Sequence, residues 1–142
     1  MRKQDLRSQS GIPEKRSEEI CNGVRNISTS DAVTTAVTRI LTKAPELQEF
    51  VLRSCRFTTY ALKGSVMREV ILRRGRESPD IKLYLIVVSD QLLAKRERVL
   101  EWHLAKQIAS ACLRVFDSGR SRRRLRSEAD ELATSWGFTP VE

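Results

Sequence analysis

The spacing of apolar residues between positions 28 and 54 predicts two helices. A cluster of N-cap residues at 28–31 precedes apolar pairs that recur every four residues, the spacing of one helix face. Pro45 must interrupt that helix, but it suits the first turn of a second one over residues 45–54. The apolar positions of the first helix are Ala32/Val33, Ala36/Val37, Ile40/Leu41 and Ala44.

β-Branched and aromatic residues follow and predict three strands, at residues 57–63, 66–74 and 81–88. The middle segment also fits a short helix, because Ser65 would serve as its N-cap and Gly75 as the residue after its end. The third strand is apolar on both faces, with Leu83, Leu85 and Val87 opposite Tyr84, Ile86 and Val88. Such a strand is expected to be covered on both sides.

A long helix is predicted from a cap at Asp90 to about residue 117, with one apolar stripe running from Leu93 to Val115. A second apolar stripe lies on its opposite side and needs its own cover. That cover is expected from a last helix (residues 127–136), from the first helix, or from another copy of the chain. We therefore expect a homodimer or a protein partner, with an interface at Trp102, Leu113 and Phe116.

The predicted fold class is α+β, with a small antiparallel three-stranded sheet packed by helices. Residues 1–27 are polar and mixed in charge, so we expect a flexible arm followed by a single domain over residues 28–142, although Ile20, Val24 and Ile27 have the spacing of one or two helix turns. The chain has 142 residues, of which 40% are hydrophobic. A domain of this size buries about two thirds of its unfolded surface.

Several classes of protein are excluded by what the sequence lacks. The longest apolar run, residues 83–88, is six residues, whereas a membrane-spanning helix needs about 20. No apolar leader follows Met1, so the expected location is intracellular: cytoplasmic, or nuclear in a eukaryotic or viral setting. With one histidine and three widely spaced cysteines, the chain has no zinc-ligand spacing, and it has no glycine-rich phosphate loop. No cofactor is expected.

Charge supplies the main functional indication. There are 26 Lys and Arg residues against 18 Asp and Glu, a net charge of +8. Arginine dominates, and its planar fork pairs with two phosphate oxygens at once. The cations gather in three clusters, which we take as candidate nucleic-acid contacts: Arg68, Arg73, Arg74 and Arg76; Lys95, Arg98 and Lys106; and Arg120, Arg122, Arg123, Arg124 and Arg126.

Each cluster also has a purely structural interpretation. The first can be a solvated sheet face and loop, and Trp102 beside the second can pack in the core rather than stack on a base. The third is predicted to lie between two helices, where it can pair with the acids that follow it.

The segment 45–117 resembles a double-stranded-RNA-binding domain in its order of helix, three strands and helix. Residues 44–50, Ala-Pro-Glu-Leu-Gln-Glu-Phe, are similar to that family's first helix, and Leu104-Ala-Lys-Gln-Ile-Ala109 to its last. The resemblance implies that Glu49 faces a minor groove and that Lys106 contacts phosphates. The family's Gly-Pro-x-His loop and the Lys-Lys pair before Ala-Lys are missing from this sequence.

The sequence thus predicts a non-catalytic nucleic-acid-binding protein that recognises phosphate backbone and shape, with RNA favoured over DNA. The alternative is an oligomeric assembly or adaptor protein that binds another protein through the long helix. A remote alternative is a metal-dependent nuclease, because Glu69 and then Asp80-Ile81-Lys82 echo the acid…acid-x-Lys layout of such enzymes.

Overall fold

The computed structural model describes residues 16–73, 75–116 and 121–140 and confirms the α+β class. Its helices are α1 (residues 16–25), α2 (Asp31–Lys43), α3 (Gln48–Ser54), α4 (Glu97–Phe116) and α5 (Arg122–Ser135). Its strands are β1 (Cys55–Tyr60), β2 (Ser65–Leu72) and β3 (Ile81–Ser89). Short 3-10 turns, Pro45–Leu47 and Asp90–Ala94, precede α3 and α4.

The three strands form a mixed sheet in the order β1-β3-β2. β2 pairs antiparallel with β3, but β1 pairs parallel with it, so the prediction of an antiparallel sheet is wrong for this pair. β3 is the most apolar strand and occupies the centre, where a strand has neighbours on both edges. Ile86 lies between Phe57 of β1 and Met67 of β2, and all three face the helices.

The N-terminal part of the fold begins earlier than predicted. Ile20 and Val24 of α1 are fully buried, and Gly23 lies against Leu52 of α3. The arm predicted over residues 1–27 is therefore wrong for residues 16–27, and residues 1–15 lie outside the described part of the chain. The α2 prediction is confirmed, because Ser30 caps this helix by accepting a hydrogen bond from the amide of Val33.

Only one face of the sheet is covered by the described helices. Tyr84, Ile86 and Val88 are buried beneath α4 and its neighbours, as predicted. On the opposite face, Leu83, Leu85 and Val87 are only partly buried and do not pack against the hydrophobic core. For the described residues, the prediction that β3 is covered on both sides is wrong, because each described helix that contacts the sheet lies on the face that carries Tyr84, Ile86 and Val88.

The chain itself covers most of both stripes of the long helix, although Val115 at the end of the first is 52% exposed and the side chain of Phe116 lies outside the described residues. α4 packs on the sheet and α2 on one side and on α5 on the other. Trp102, only 6% exposed, belongs to the same core as Ala129 and Ala133 of α5. Cover for the second stripe was expected from the first helix, the last helix or another copy of the chain. It comes from α2 and α5, so the second stripe gives no reason for a dimer.

The last helix begins at Arg122 rather than at residue 127. Ser121 caps it by accepting a hydrogen bond from the amide of Arg124. The arginine cluster therefore occupies the first turns of α5 instead of a loop between helices. α5 ends at Ser135, and Gly137 beyond it adopts a positive φ of 97°, as expected for a glycine that terminates a helix.

Candidate nucleic-acid interface

Polar side chains follow one side of α4, between the free edge of β2 and α5. His103, Lys106, Gln107 and Ser110 recur at the three- and four-residue spacing that aligns side chains along a helix. Ser65, at the start of β2, contacts this row from the sheet side. We call Ser65, His103, Lys106, Gln107 and the α5 residue Asp130 the His103 cluster.

Two hydrogen bonds fix the sheet side of the cluster. Ser65 Oγ lies 3.0 Å from Nδ1 of His103 and 3.0 Å from Nε2 of Gln107. The Gln107 amide nitrogen only donates, so Ser65 accepts from it. The direction of the hydrogen bond between Ser65 and Nδ1 of His103 is set by the tautomer of the neutral imidazole.

The electrostatic field at the cluster is positive. The pKa of His103 is lowered from 6.5 to about 4, mainly by burial and in addition by the neighbouring charges of Lys106 and Lys95. The pKa of Lys106 is itself lowered, by burial and by Arg126, against the opposing effect of Asp130. Two predicted nucleic-acid contacts, Lys95 and Lys106, thus act on one histidine, and a third, Arg126, acts on Lys106.

The Asp130 carboxylate does not balance this charge fully. Its Oδ1 is buried and accepts no hydrogen bond from any described residue, although the carboxylate lies close enough to stabilise the Lys106 ammonium. One acid therefore stands among three cations and a neutral histidine. Such a site favours an additional anion, because an anion would relieve the repulsion between the cations.

Ser65 and His103 are as close as a catalytic nucleophile and its general base, but the charges around them do not favour proton transfer to the histidine. A general base must become an imidazolium, and the charges of Lys95 and Lys106 disfavour that form. In serine hydrolases a carboxylate orients and stabilises the histidine, whereas here the ionisable groups that act on the ring are cations. The arrangement suits anion binding better than acyl transfer.

Sequence reasoning missed Ser65, His103 and Gln107 as members of a site. Ser65 is 38 residues from His103 and 42 from Gln107, and no spacing rule joins a strand residue to a helix residue at that distance. The one usable signal was the i, i+4 alignment of His103 with Gln107 on the predicted helix.

The other predicted contacts are spread over the molecule. Arg68 lies on the outer face of β2, and Arg98 is exposed in the first turn of α4. Arg73 and Arg76 are exposed in the β2–β3 connection. Arg74 and Arg120 lie outside the described residues.

The arginines of α5 are closer to the His103 cluster. Arg123 and Arg126 are exposed and one turn apart, and Arg126 acts on Lys106. The Arg124 Nε donates to Glu128 at 2.9 Å, as the alternative interpretation of this cluster predicts. The side chain of Arg122 lies outside the described part of the chain.

The predicted protein-interface residues do not form a common surface. Trp102 is in the core, and Leu113 is partly buried against it. The side chain of Phe116 lies outside the described residues. Trp102 is also too buried to stack on a base, as its structural interpretation predicts.

The nuclease layout does not assemble. Glu69 is paired with Tyr84 on the sheet, and Asp80 precedes Tyr84 by four residues, which corresponds to about 13 Å along a strand. The two carboxylates are too far apart to hold one Mg²⁺ ion. Among the described residues, no group of three His, Cys, Asp or Glu side chains is suited to a metal.

The layout behind the RNA-binding resemblance is present as an element order, α3-β1-β2-β3-α4. Glu49 is exposed on α3, where its carboxylate lies 3.9 Å from Arg53. Lys106 is on α4 and faces α5. The resemblance stays a prediction.

None of the described helices is long and apolar enough to span a membrane. No protein-family model, no curated protein and no solved structure matches this chain. Functional inference therefore depends on the residues of the chain itself.

Proposed function

We propose that this protein binds nucleic acid, without catalysis, by gripping the phosphate backbone along α4 and α5. The observation that carries the proposal is the series of neighbouring cations along the two helices: Lys95 and Lys106 act on the uncharged His103, and Arg126 acts on Lys106. Three cations held together against one partly satisfied carboxylate repel one another in the free protein. A phosphate in their midst would turn that repulsion into attraction.

The row of cations formed by Lys95, Lys106 and Arg123 is long enough to contact several phosphates of a nucleic-acid backbone. Lys95 and Lys106 are eleven residues apart. Lys95 lies before the start of α4 at Glu97, so the rise of 1.5 Å per residue applies only to residues 97–106, which extend about 14 Å, and Arg123 lies about one turn, or 5 Å, from Arg126 on α5. Adjacent phosphates of one strand are several ångströms apart, so the row spans roughly three of them.

The start of α5 supports the same proposal. Its first turn holds no acid, although the positive end of the helix dipole favours acids there, and it carries arginines instead. This arrangement costs stability in the free protein. A phosphate near Arg123 would be stabilised both by the arginine and by the dipole.

Binding of this kind recognises charge and shape more than sequence. The Lys and Arg side chains named above suit phosphate oxygens, and the core position of Trp102 removes the aromatic residue that base stacking would use. RNA is proposed ahead of DNA on the resemblance alone, so the test must compare the two.

The test uses an RNA duplex and a DNA duplex of the same sequence, titrated with the full chain at several salt concentrations. The variant Lys95→Gln/Arg126→Gln removes two exposed cations of the row. Its matched control, Arg25→Gln/Arg53→Gln, removes two exposed cations from α1 and α3. We expect the first double variant to weaken binding and to reduce the log–log salt slope by about two, at about 0.9 per phosphate.

The salt slope of the control variant should differ from the wild-type slope by less than about 0.45, which corresponds to half of one phosphate contact. Equal losses in the two double variants would mean that only net charge matters and would refute a localised interface. A wild-type protein that binds neither duplex at low salt would refute the function itself.

A further inference from the structure

The outer face of the sheet is an apolar surface that the described residues leave uncovered. It is formed by alternate residues of β2 and β3 whose side chains point away from the helices. Leu72, Ile81 and Val70 are 46%, 37% and 36% exposed. The face consists of Val66, Val70, Leu72, Ile81, Leu83, Leu85 and Val87, and we call it the outer face.

The composition of β3 is that of a strand with cover on both sides. Its inner side chains are buried in the chain's own core, whereas Leu83, Leu85 and Val87 are only partly buried and do not belong to that core. Exposed contiguous apolar surface of this kind marks an interaction site. The described residues supply no such cover for this face.

The dimensions of the outer face fit a single helix. Three strands at a spacing of about 4.8 Å make a surface about 10 Å wide, which equals the diameter of a helix with its side chains. The nine residues of β3 extend for about 30 Å, the length of a helix of about 20 residues. A helix packed on a sheet is also the usual way to complete a two-layer fold.

Charge identifies the kind of helix. Arg56 and Arg68 lie level with Leu85, one on each side of it, and the outward positions of the three strands include no acid. The Arg56 guanidinium donates to the Cys55 carbonyl at 2.7 Å and to the Leu52 and Arg53 carbonyls of α3 at 3.4 and 3.5 Å, so Arg68, which is exposed, is the more accessible of the two arginines. An occupant with acids beside its apolar stripe would pair with both arginines.

Two other occupants carry the wrong charge. A second copy of this chain would place arginines against arginines across the interface. Residues 1–15 of the same chain contain four cations and two acids, so they too bring an excess of positive charge. Like charges opposed in an interface are costly.

We propose that the outer face binds an acidic amphipathic helix of a partner protein. The helix lays an apolar stripe along β3, and its flanking carboxylates pair with Arg56 and Arg68. This surface is on the opposite side of the sheet from the His103 cluster, so the proposal does not depend on nucleic-acid binding.

The test uses an 18-residue probe peptide with Leu at helical spacing and Glu elsewhere, and a second peptide with Lys in place of Glu. Fluorescence anisotropy measures the affinity of the full-length protein for each peptide. Leu72→Glu and Arg68→Glu alter the outer face. Ile71→Glu is the matched control, because Ile71 is the adjacent residue of β2, is 49% exposed, and faces the other side of the sheet.

We expect the Glu peptide to bind the wild-type protein, and Leu72→Glu and Arg68→Glu each to weaken that binding about tenfold or more. Ile71→Glu should change it less than about twofold, and the Lys peptide should bind at least about tenfold more weakly than the Glu peptide. Amide exchange of β3 should slow in the complex. Circular dichroism of each variant verifies that it is folded.

Four results would overturn the proposal. They are no binding of the Glu peptide, equal binding of the two peptides, an equal loss in Ile71→Glu and Leu72→Glu, and a dimer in sedimentation that Leu72→Glu dissociates. The last would identify a second copy as the occupant. Sensitivity of peptide affinity to Leu6→Ser/Ile12→Ser, which alters the N-terminal segment, would identify that segment as the occupant instead.

Discussion

The half-buried His103 makes the stability of the protein depend on pH in a predictable direction. Its pKa is about 4 in the folded protein and 6.5 in an unfolded chain. Between these values the unfolded chain binds a proton that the folded protein does not. Stability therefore does not change with pH through this group above pH 6.5, and it falls as pH decreases from 6.5 towards 4.

The size of the effect follows from the same two pKa values. Their difference corresponds to about 3.4 kcal/mol at full strength, since one pKa unit is worth about 1.4 kcal/mol. His103 keeps part of its surface in water, which screens the effect of Lys95 and Lys106. We expect about 1–2 kcal/mol of stability to be lost across this pH range through His103.

The variant His103→Gln isolates this contribution because glutamine cannot titrate but can still hydrogen-bond to Ser65. Urea unfolding of wild type and variant between about pH 7.5 and pH 4 gives the free energy of unfolding of each. The carboxylates titrate alike in both proteins, so the difference between the two curves reports the histidine. A difference that stays constant across this range, or an NMR titration that gives His103 its ordinary pKa, would refute the assigned environment.

Three further predictions concern other parts of the fold. Ile20→Ala should lower the free energy of unfolding, measured by urea denaturation, by about 2–4 kcal/mol, because this side chain of α1 is fully buried. A negligible loss would instead mean that residues 16–25 form a flexible arm. Replacing Arg122, Arg123 and Arg124 together with Ala should reduce the salt slope of nucleic-acid binding while changing the melting temperature by less than about 2 °C, because the lost Arg124–Glu128 pair is offset by relief of the helix dipole. Gly137→Ala should lower stability by about 1 kcal/mol in thermal melts, since its φ of 97° is unfavourable for a residue with a Cβ atom.

Local patterns predicted the elements well because each depends on neighbouring residues. The N-cap at Ser30 and the proline start at Pro45 are decided within a few positions, and both are confirmed. The order of the strands is not local. A simple meander places the middle strand at the centre, whereas here β3 displaces β2 from that position. That outcome depends on which strand buries most apolar surface against the helices.

The His103 cluster could not be predicted from the sequence, for a related reason. Lys106 was predicted as an exposed phosphate contact, but its charge is partly desolvated because α5 folds back over α4. The arginines after Ser121 were predicted to lie between two helices because the last helix was expected to begin at residue 127, and arginine at the positive end of a helix opposes the preference of the helix dipole. The Ser121 cap nevertheless starts the helix there. A pattern that opposes a local rule in this way is expected at functional sites.

The state of His103 links the proposed function to pH and gives its sharpest test. In the free protein, the charges of Lys95 and Lys106 help to keep the imidazole neutral. A phosphate bound to these lysines would cancel their effect and would raise the pKa of His103 in the complex. A group whose pKa rises on binding takes up a proton, so affinity should increase as pH falls from 6.5 towards 4, by up to about tenfold for each unit by which the pKa rises. Affinity for the RNA duplex should therefore depend on pH in wild type more steeply than in His103→Gln. Identical pH profiles for the two proteins, with binding intact, would place the phosphates elsewhere, on the arginines at the start of α5.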